Sequence, residues 1–299
     1  MPAAQWAGAA AKPSLLRSED GLVSGWLFEA PAPGDRPLLV CIHGGGCNAG
    51  YFAIGQRSIL AQGQARNYPL LLVNRPGFAG NRRLSAADPV EASGPLIQAF
   101  VDGVQARRPG RGPVVVIGHS IGGAIAVEMA ARRGNRPLLG IGISGIGDVS
   151  PPEIAGWRPT AGASAEEETR DTAHLSFGDP GTYDWRAIAA YRRIAEPWIL
   201  DEPVAMLTEW PKRWPRLAAA VDVPVHLRLA EGEKIWETGE RATSRMAETL
   251  TSSPHVDAAV LPEGGHLYEL HKRGPELVSS QLDFADALTS TLARSQPAE

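Results

Sequence analysis

With 299 residues, 43% of them hydrophobic and 21% charged, and a net charge of −4, the chain has the composition of a globular protein with a full core. No basic excess points to nucleic acid or to an anionic membrane, and no apolar run approaches the roughly 18 residues needed to span a bilayer. Cys41 and Cys47, the only two cysteines, make no disulfide framework, so a reducing, cytoplasmic compartment is expected. Residues 1–12 lack the basic start and long apolar stretch of a signal peptide.

Alternation over residues 22–28 predicts an early antiparallel strand. Residues 38–42 are a short continuous apolar run, the pattern of a strand buried on both faces, and His43-Gly44-Gly45-Gly46 follows it. A helical pattern over 55–65 leads to a second buried strand over 69–74 and then to Asn74-Arg75-Pro76-Gly77-Phe78-Ala79-Gly80-Asn81. A helix is predicted over 94–107. The strand over 114–117 runs directly into Gly118-His119-Ser120-Ile121-Gly122 and a helix over 121–133, and a further strand is predicted over 138–143. Residues 151–218 contain no convincing buried strand but hold five of the eight tryptophans, Trp157, Trp185, Trp198, Trp210 and Trp214. So long a stretch in a compact domain is rarely structureless, and a helical cap over the sheet's C-terminal edge is expected. Strands over 225–229 and 256–261 and a helix over 276–292 complete the chain.

Strands alternating with helices predict an α/β fold, a mostly parallel central sheet with helices on both faces. The expected division is a first core part over 1–150, the cap over 151–218 and a second core part over 219–299.

Strand, Gly-x-Ser-x-Gly, helix is the order that presents a serine at the apex of a tight turn. Serine is a poor nucleophile unless a base lies in hydrogen-bond reach and an acid orients the base. Of seven histidines, His119 adjoins the serine, but neighbouring side chains diverge at a sharp turn. His226 lies within a strand, His255 falls at the opposite sheet edge, His174 lies in the insertion and His271 sits beyond the preferred loop. His266 follows the strand over 256–261, on the same edge as Ser120, with Gly264 and Gly265 to let its loop bend inward. For the acid, Glu233 after the strand over 225–229 is the better placed by register. Asp148 is the rival and Glu231 the third option. Gly44 to Gly46 lets backbone N–H groups approach a ligand, and the N–H of Ile121 starts a helix, so both are candidate oxyanion donors. A phosphate cradle would need a Lys followed by Ser or Thr, which the triple glycine lacks.

These motifs, in the order nucleophile, acid, histidine, resemble the α/β-hydrolase superfamily in its capped form over most of residues 20–295. The resemblance implies a serine hydrolase or a close chemical relative. Two departures stand out. Asn74 and Asn81 replace the Asp and Ser usual at the ends of the second motif, where turn geometry is served. Glu233 stands where Asp is usual and is one methylene longer.

The expected reaction is hydrolysis of a carboxylic ester, thioester or lactone through an acyl-enzyme. Ser120 attacks, His266 takes its proton, Glu233 holds the imidazole, and Gly45, Gly46 and Ile121 donate to the oxyanion. Carbon–carbon bond hydrolysis or acyl transfer on the same scaffold, and a non-catalytic ligand-binding protein, are the other readings that fold alone leaves open. No cofactor is implied and no metal, since neither His-Glu-x-x-His nor a Cys/His cluster occurs. The partner expected is a small acyl substrate with an apolar or aromatic part, because the cap tryptophans suggest such a pocket wall, with Trp185 and Trp214 as the residues to test. Oligomeric state, a homodimer included, is open at this level.

Overall fold

In the computed structural model, which describes residues 6, 12–32, 34–108 and 112–295, eight strands form one sheet. They are β1 (Ser14–Arg17), β2 (Ser24–Phe28), β3 (Leu38–Ile42), β4 (Leu70–Asn74), β5 (Val114–His119), β6 (Leu138–Ser144), β7 (Val225–Ala230) and β8 (Val256–Leu261). Their spatial order is β1-β2-β4-β3-β5-β6-β7-β8. β1 and β2 pair antiparallel, as do β2 and β4, and all remaining pairs are parallel.

The continuous apolar runs follow from two-sided burial. Successive side chains of a strand point to opposite faces. Leu38, Val40 and Ile42 accordingly join one core with Val114 and Val116, while Leu39 and Cys41 join the other with Val115 and Ile117. A strand that feeds two cores has no polar face to show. β1 was not foreseen in the sequence. It is a four-residue edge strand, mostly exposed, and so carries no burial pattern to read.

Helices α1 (Ile59–Ala65), α2 (Pro89–Arg107) and α3 (Ile121–Ala131) lie in the first part of the chain. α2 starts earlier than its apolar pattern predicts because Asp88 caps it, accepting from the N–H groups of Val90 and Glu91, with Pro89 in the first turn. Residues 151–218 form short helices: α4 (Pro152–Ala155), α5 (Ala165–Asp171), α6 (Ala173–Ser176), α7 (Trp185–Tyr191), α8 (Asp201–Thr208) and most of α9 (Trp210–Ala219). α10 (Glu240–Thr249) and α11 (Gly274–Ser295) complete the fold. α10 escapes a sequence reading because its buried residues are only Ala242, Thr243 and Met246.

α2 and α3 cover one sheet face and α1 and α11 the other. α8 and α9 pack on α2 and α3, so the side chains of Met206, Trp210, Trp214 and Leu217 belong to the main core. Residues 151–218 are also bonded to the loop after β3, where the Asn48 N–H donates to the Ile194 carbonyl at 3.1 Å and the Glu196 N–H to the Gly46 carbonyl at 2.9 Å. Among the described residues, no helix is long and apolar enough to cross a membrane.

Candidate active site

β5 enters the turn and α3 leaves it, with Ser120 between them at φ 54° and ψ −121°. A positive φ is costly for a residue with a Cβ and persists only where neighbours impose it. Here the Ser120 N–H donates to the Ser144 carbonyl at 2.8 Å, and the Ser120 carbonyl accepts from Gly123 and Ala124 at 2.8 and 3.1 Å. The flanking glycines are steric necessities. A Cβ on Gly118 would lie 2.2 Å from the Gly122 carbonyl oxygen, and one on Gly122 only 1.9 Å from that of Ile42.

Two loops at the C-terminal ends of parallel strands bring their side chains to this serine. His266, after β8, has Nε2 2.9 Å from Ser120 Oγ. Its Nδ1 lies 2.8 Å from Oε2 of Glu233, which follows β7. The Glu233 side chain is fully buried. Burial pushes its carboxyl pKa up, but the His266 charge and hydrogen bond, with the Ile235 N–H, outweigh that and hold it below the ordinary glutamate value.

The other candidates are engaged elsewhere. Asp148 is not the partner of His266. Its two oxygens take Nε and Nη2 of Arg245, each at 2.8 Å, because α10 brings that guanidinium beside the loop after β6. Glu231 accepts from the Glu263 N–H at 3.1 Å. His226 meets Ser280 at 3.1 Å. His271 accepts the Gly265 N–H at 3.2 Å and contacts Thr182 Oγ1 at 2.9 Å, so it braces the loop that carries His266.

His119 is buried behind the site, its ring centroid 5.0 Å from that of His266 and stacked on Tyr51. Its Nδ1 lies 3.3 Å from Ser144 Oγ, and Ser144 donates in turn to Glu269 at 3.1 Å. Burial drives His119 well below the usual histidine range and pushes Glu269 above the usual carboxylate range. Sequence reasoning missed this cluster, because Tyr51 and Glu269 come from two short 3-10 helices, Ala49–Ala53 and Tyr268–Leu270, that are far apart in the chain and carry no shared motif.

The Gly44–Gly46 loop approaches Ser120 closely: a Cβ on Gly44 would lie 3.0 Å from the Ser120 Cβ. Among the described residues, the N–H groups of Gly45 and Ile121 have no hydrogen-bond partner, and the second stands at the start of α3. Trp198 lies over this loop, so that a Cβ on Gly45 would meet its ring at 2.1 Å. Asn74 and Asn81 serve the turn as expected. Asn74 accepts the Ala49 N–H at 3.0 Å, and Asn81 donates to the Asn74 and Arg75 carbonyls at 3.0 and 3.2 Å.

A pocket opens at Ser120 and His266, walled by Ile154, Trp157, Leu175, Trp198, Met206 and Trp236, with no charged side chain in its lining. The tryptophans thus divide by role. Trp157 and Trp198 wall the pocket, as does Trp236 from outside the insertion. Trp214, expected in that wall, is buried in the core beneath it, and Trp185, also expected there, is 69% exposed. The difference arises because α9 turns its aromatic face to α3, and Trp185 opens α7 on the solvent side. Cys47 also lines the pocket, but burial pushes its thiol up to about 12, so it holds no thiolate at neutral pH. Among the described residues, no group of three His, Cys, Asp or Glu side chains is placed to hold a metal ion.

The model of the alpha/beta hydrolase family matches residues 39–279. The chain belongs to the alpha/beta hydrolase family. Protein phosphatase methylesterase 1 of Rattus norvegicus is 33% identical over 109 residues, 36% of this chain and 27% of that protein. The 2-succinyl-6-hydroxy-2,4-cyclohexadiene-1-carboxylate synthase of Pectobacterium atrosepticum is 29% identical over 110 residues, 37% of this chain and 39% of that protein. The matched stretches therefore span well under half of these curated relatives. Among solved structures, an esterase from Exiguobacterium antarcticum superposes with a TM-score of 0.65 at 13% identity, covering 92% of this chain and 100% of that one. An N-acyl homoserine lactonase complexed with N-hexanoyl homoserine lactone gives 0.62 at 16% identity, covering 93% and 99%. At such identities the likeness is one of fold.

Proposed function

We propose that this alpha/beta hydrolase cleaves a carboxylic ester, thioester or lactone whose acyl part is uncharged and mainly apolar, through an acyl-enzyme on Ser120. The observation that carries the proposal is the unbroken relay from Ser120 Oγ to His266 Nε2 at 2.9 Å and from His266 Nδ1 to Glu233 at 2.8 Å. In this reading His266 Nε2 removes the Ser120 proton as Oγ attacks the acyl carbon. Glu233 keeps the other imidazole proton on Nδ1 and offsets the imidazolium that forms. The N–H groups of Gly45 and Ile121, with Gly46 beside them, donate to the tetrahedral oxygen. The leaving alcohol, thiol or hydroxyl takes the proton from His266. A water then attacks the acyl carbon as it gives a proton to His266, and the acyl–Oγ bond breaks to release the acid while His266 passes that proton to Ser120 Oγ.

The lining supports the acyl assignment. A carboxylate or phosphate buried against Trp157, Trp198 and Trp236 would find no Arg or Lys to pair with, and an unpaired buried charge is costly. The carboxylate named for one curated relative fits such a wall poorly. The hexanoyl chain named for one structural neighbour suits it. The cysteines are free and buried, which accords with a reducing cytoplasm.

The test is fluorophosphonate labelling read by peptide mass spectrometry, followed by a panel of esters, thioesters and lactones. Labelling at Ser120 that Ser120→Ala and His266→Ala both abolish, with faster turnover of hexanoyl than of succinyl esters, is the expected result. A folded protein that takes no label and hydrolyses no member of the panel overturns the reading.

A further inference from the structure

A buried ion pair lies beside the Gly44–Gly45 peptide and takes no part in the chemistry above. Arg75 and Glu202 are essentially unexposed, and Nη1 and Nη2 of the guanidinium both bond the carboxylate, the second at 3.1 Å. Arg75 follows β4 in the sheet, whereas Glu202 belongs to α8 of the insertion. Nη2 of Arg75 also donates to the Gly44 carbonyl at 2.9 Å. A second donor shares that oxygen. The Arg75 N–H bonds His43 Nε2 at 3.3 Å, which leaves the imidazole proton on Nδ1, 2.8 Å from the Gly44 carbonyl. Burial, reinforced by the Arg75 charge, keeps His43 neutral, consistent with that single proton. The Arg75 guanidinium further rests on the Phe78 ring, 4.6 Å from its centroid.

The consequence lies in peptide geometry. The Gly44–Gly45 unit is planar and trans, so its carbonyl and its N–H point in opposite directions. Gly44 and Gly45 both line the pocket with Ser120, but Arg75 and His43 do not. Arg75 and His43, both outside the pocket lining, hold the carbonyl at 2.9 and 2.8 Å against a longer 3.8 Å contact from the pocket-lining Cys47 thiol, and so turn the Gly45 N–H toward the side of the serine. Something must do this. A peptide between two glycines has little steric preference for one orientation, and a flip would replace a donor with a carbonyl oxygen beside the developing negative charge.

We infer that Arg75 and Glu202 are positioning residues: Glu202 of the insertion holds the Arg75 guanidinium on the Gly44 carbonyl, which aims the Gly45 N–H at the tetrahedral oxygen. The inference rests on the acyl-transfer reading for its functional meaning. It makes the insertion more than a wall, because α8 then helps to form the oxyanion site.

The test compares wild type with Arg75→Met/Glu202→Met, which removes both charges and so leaves neither buried without a partner. Glu202→Gln serves as a milder companion that keeps an acceptor for Arg75. The double variant is expected to lose kcat about 100-fold with KM within about threefold, the scale of one lost oxyanion donor. Inhibition by a trifluoromethyl ketone, whose adduct carries the oxyanion, weakens in parallel. Glu202→Gln falls between it and wild type. A crystal structure of the double variant should show the Gly44–Gly45 peptide rotated or in two orientations. An unmoved peptide in that crystal, or a kcat equal to wild type, overturns the inference. If the double variant does not fold, the Gly45 amide shift and the kcat of Glu202→Gln decide in its place, and wild-type values for both overturn it. Should wild type hydrolyse no ester at all, the proposed function fails, while the peptide orientation still decides whether the clamp exists.

Discussion

Glu233 and His266 meet at 2.8 Å although the glutamate is a methylene longer than the aspartate usual at its position. The extra length is taken up locally. The second carboxylate oxygen turns back on its own loop and accepts the N–H groups of Lys234 and Ile235 at 3.0 and 2.9 Å. The Glu233 N–H itself closes on the Ala230 carbonyl at 3.2 Å. The side chain is thus fixed at both oxygens, and a buried acid held this way has one orientation to offer the imidazole.

Replacing Glu233 by Gln keeps the volume and removes the charge. We expect kcat to fall roughly 10³- to 10⁴-fold with little change in KM, since the amide offers the wrong partner to Nδ1 and cannot offset the imidazolium. Asp148→Asn, which touches only the Arg245 pair, should leave kcat within about twofold, while stability falls by about 1–3 kcal/mol because the carboxylate is only 10% exposed and bonds Arg245 through both oxygens. Steady-state kinetics on the best ester of the panel check both. Equal losses in the two variants would remove Glu233 from its role.

Gly122→Ala tests the turn. Its Cβ would stand 1.9 Å from the Ile42 carbonyl oxygen, a backbone atom of a central strand that cannot yield. A loss of at least ~4 kcal/mol is expected, read as insolubility or a lowered urea midpoint. A soluble variant with the wild-type midpoint would show that strand and helix are not in such close contact.

The pocket wall predicts a split between substrates. Trp157→Ala should raise KM about 10-fold for a hexanoyl ester, the scale of one lost large apolar contact, and leave an acetyl ester nearly unchanged. Trp185→Ala should alter neither, because that ring is 69% exposed and lies off the pocket. Equal effects of Trp157→Ala on both esters would mean that the ring does not bound the acyl chain.

Stability should fall in mild acid. Burial lowers His226 to about 3 and His271 to about 4 from the usual 6.5, and His43 and His119 are also held well below that value. The unfolded chain takes up these protons as pH drops through about 6.5, whereas the folded chain does not until its depressed pKa values are reached. Each such histidine therefore contributes stability that is present above pH 6.5 and is lost below it at up to ~1.4 kcal/mol per pH unit. Burial raises the carboxyls of Glu128, Glu168 and Glu269, and these act in the opposite sense, favouring the folded state as pH falls. Four deeply shifted histidines outweigh them between pH 7 and 5. Urea midpoints at those two values check the sign, and a higher midpoint at pH 5 would reverse it.

Local patterns decided what local physics decides. The runs over 38–42, 69–74 and 114–117 read as buried strands because burial on two faces leaves no other composition. Ser120, between glycines that sterics demand, and His266, in a glycine-bearing loop after the last strand, were legible for the same reason. The family match bears out the fold that these elements imply. What the sequence could not supply were relations between residues far apart in it. Register favours Glu233 as the acid but leaves Asp148 as a rival, until α10 brings Arg245 to Asp148 and the loop after β8 brings His266 to Glu233. The tryptophans look alike in sequence, yet the packing of α9 sends Trp214 to the core, the connection between α7 and α8 lays Trp198 over the pocket, and Trp185 at the start of α7 faces solvent. Arg75 and Glu202, separated by 127 positions, acquire meaning only when α8 folds onto the sheet edge. Periodicity and turn chemistry are written in neighbours along the chain, whereas charge pairing and pocket shape depend on which distant side chains arrive at the same place.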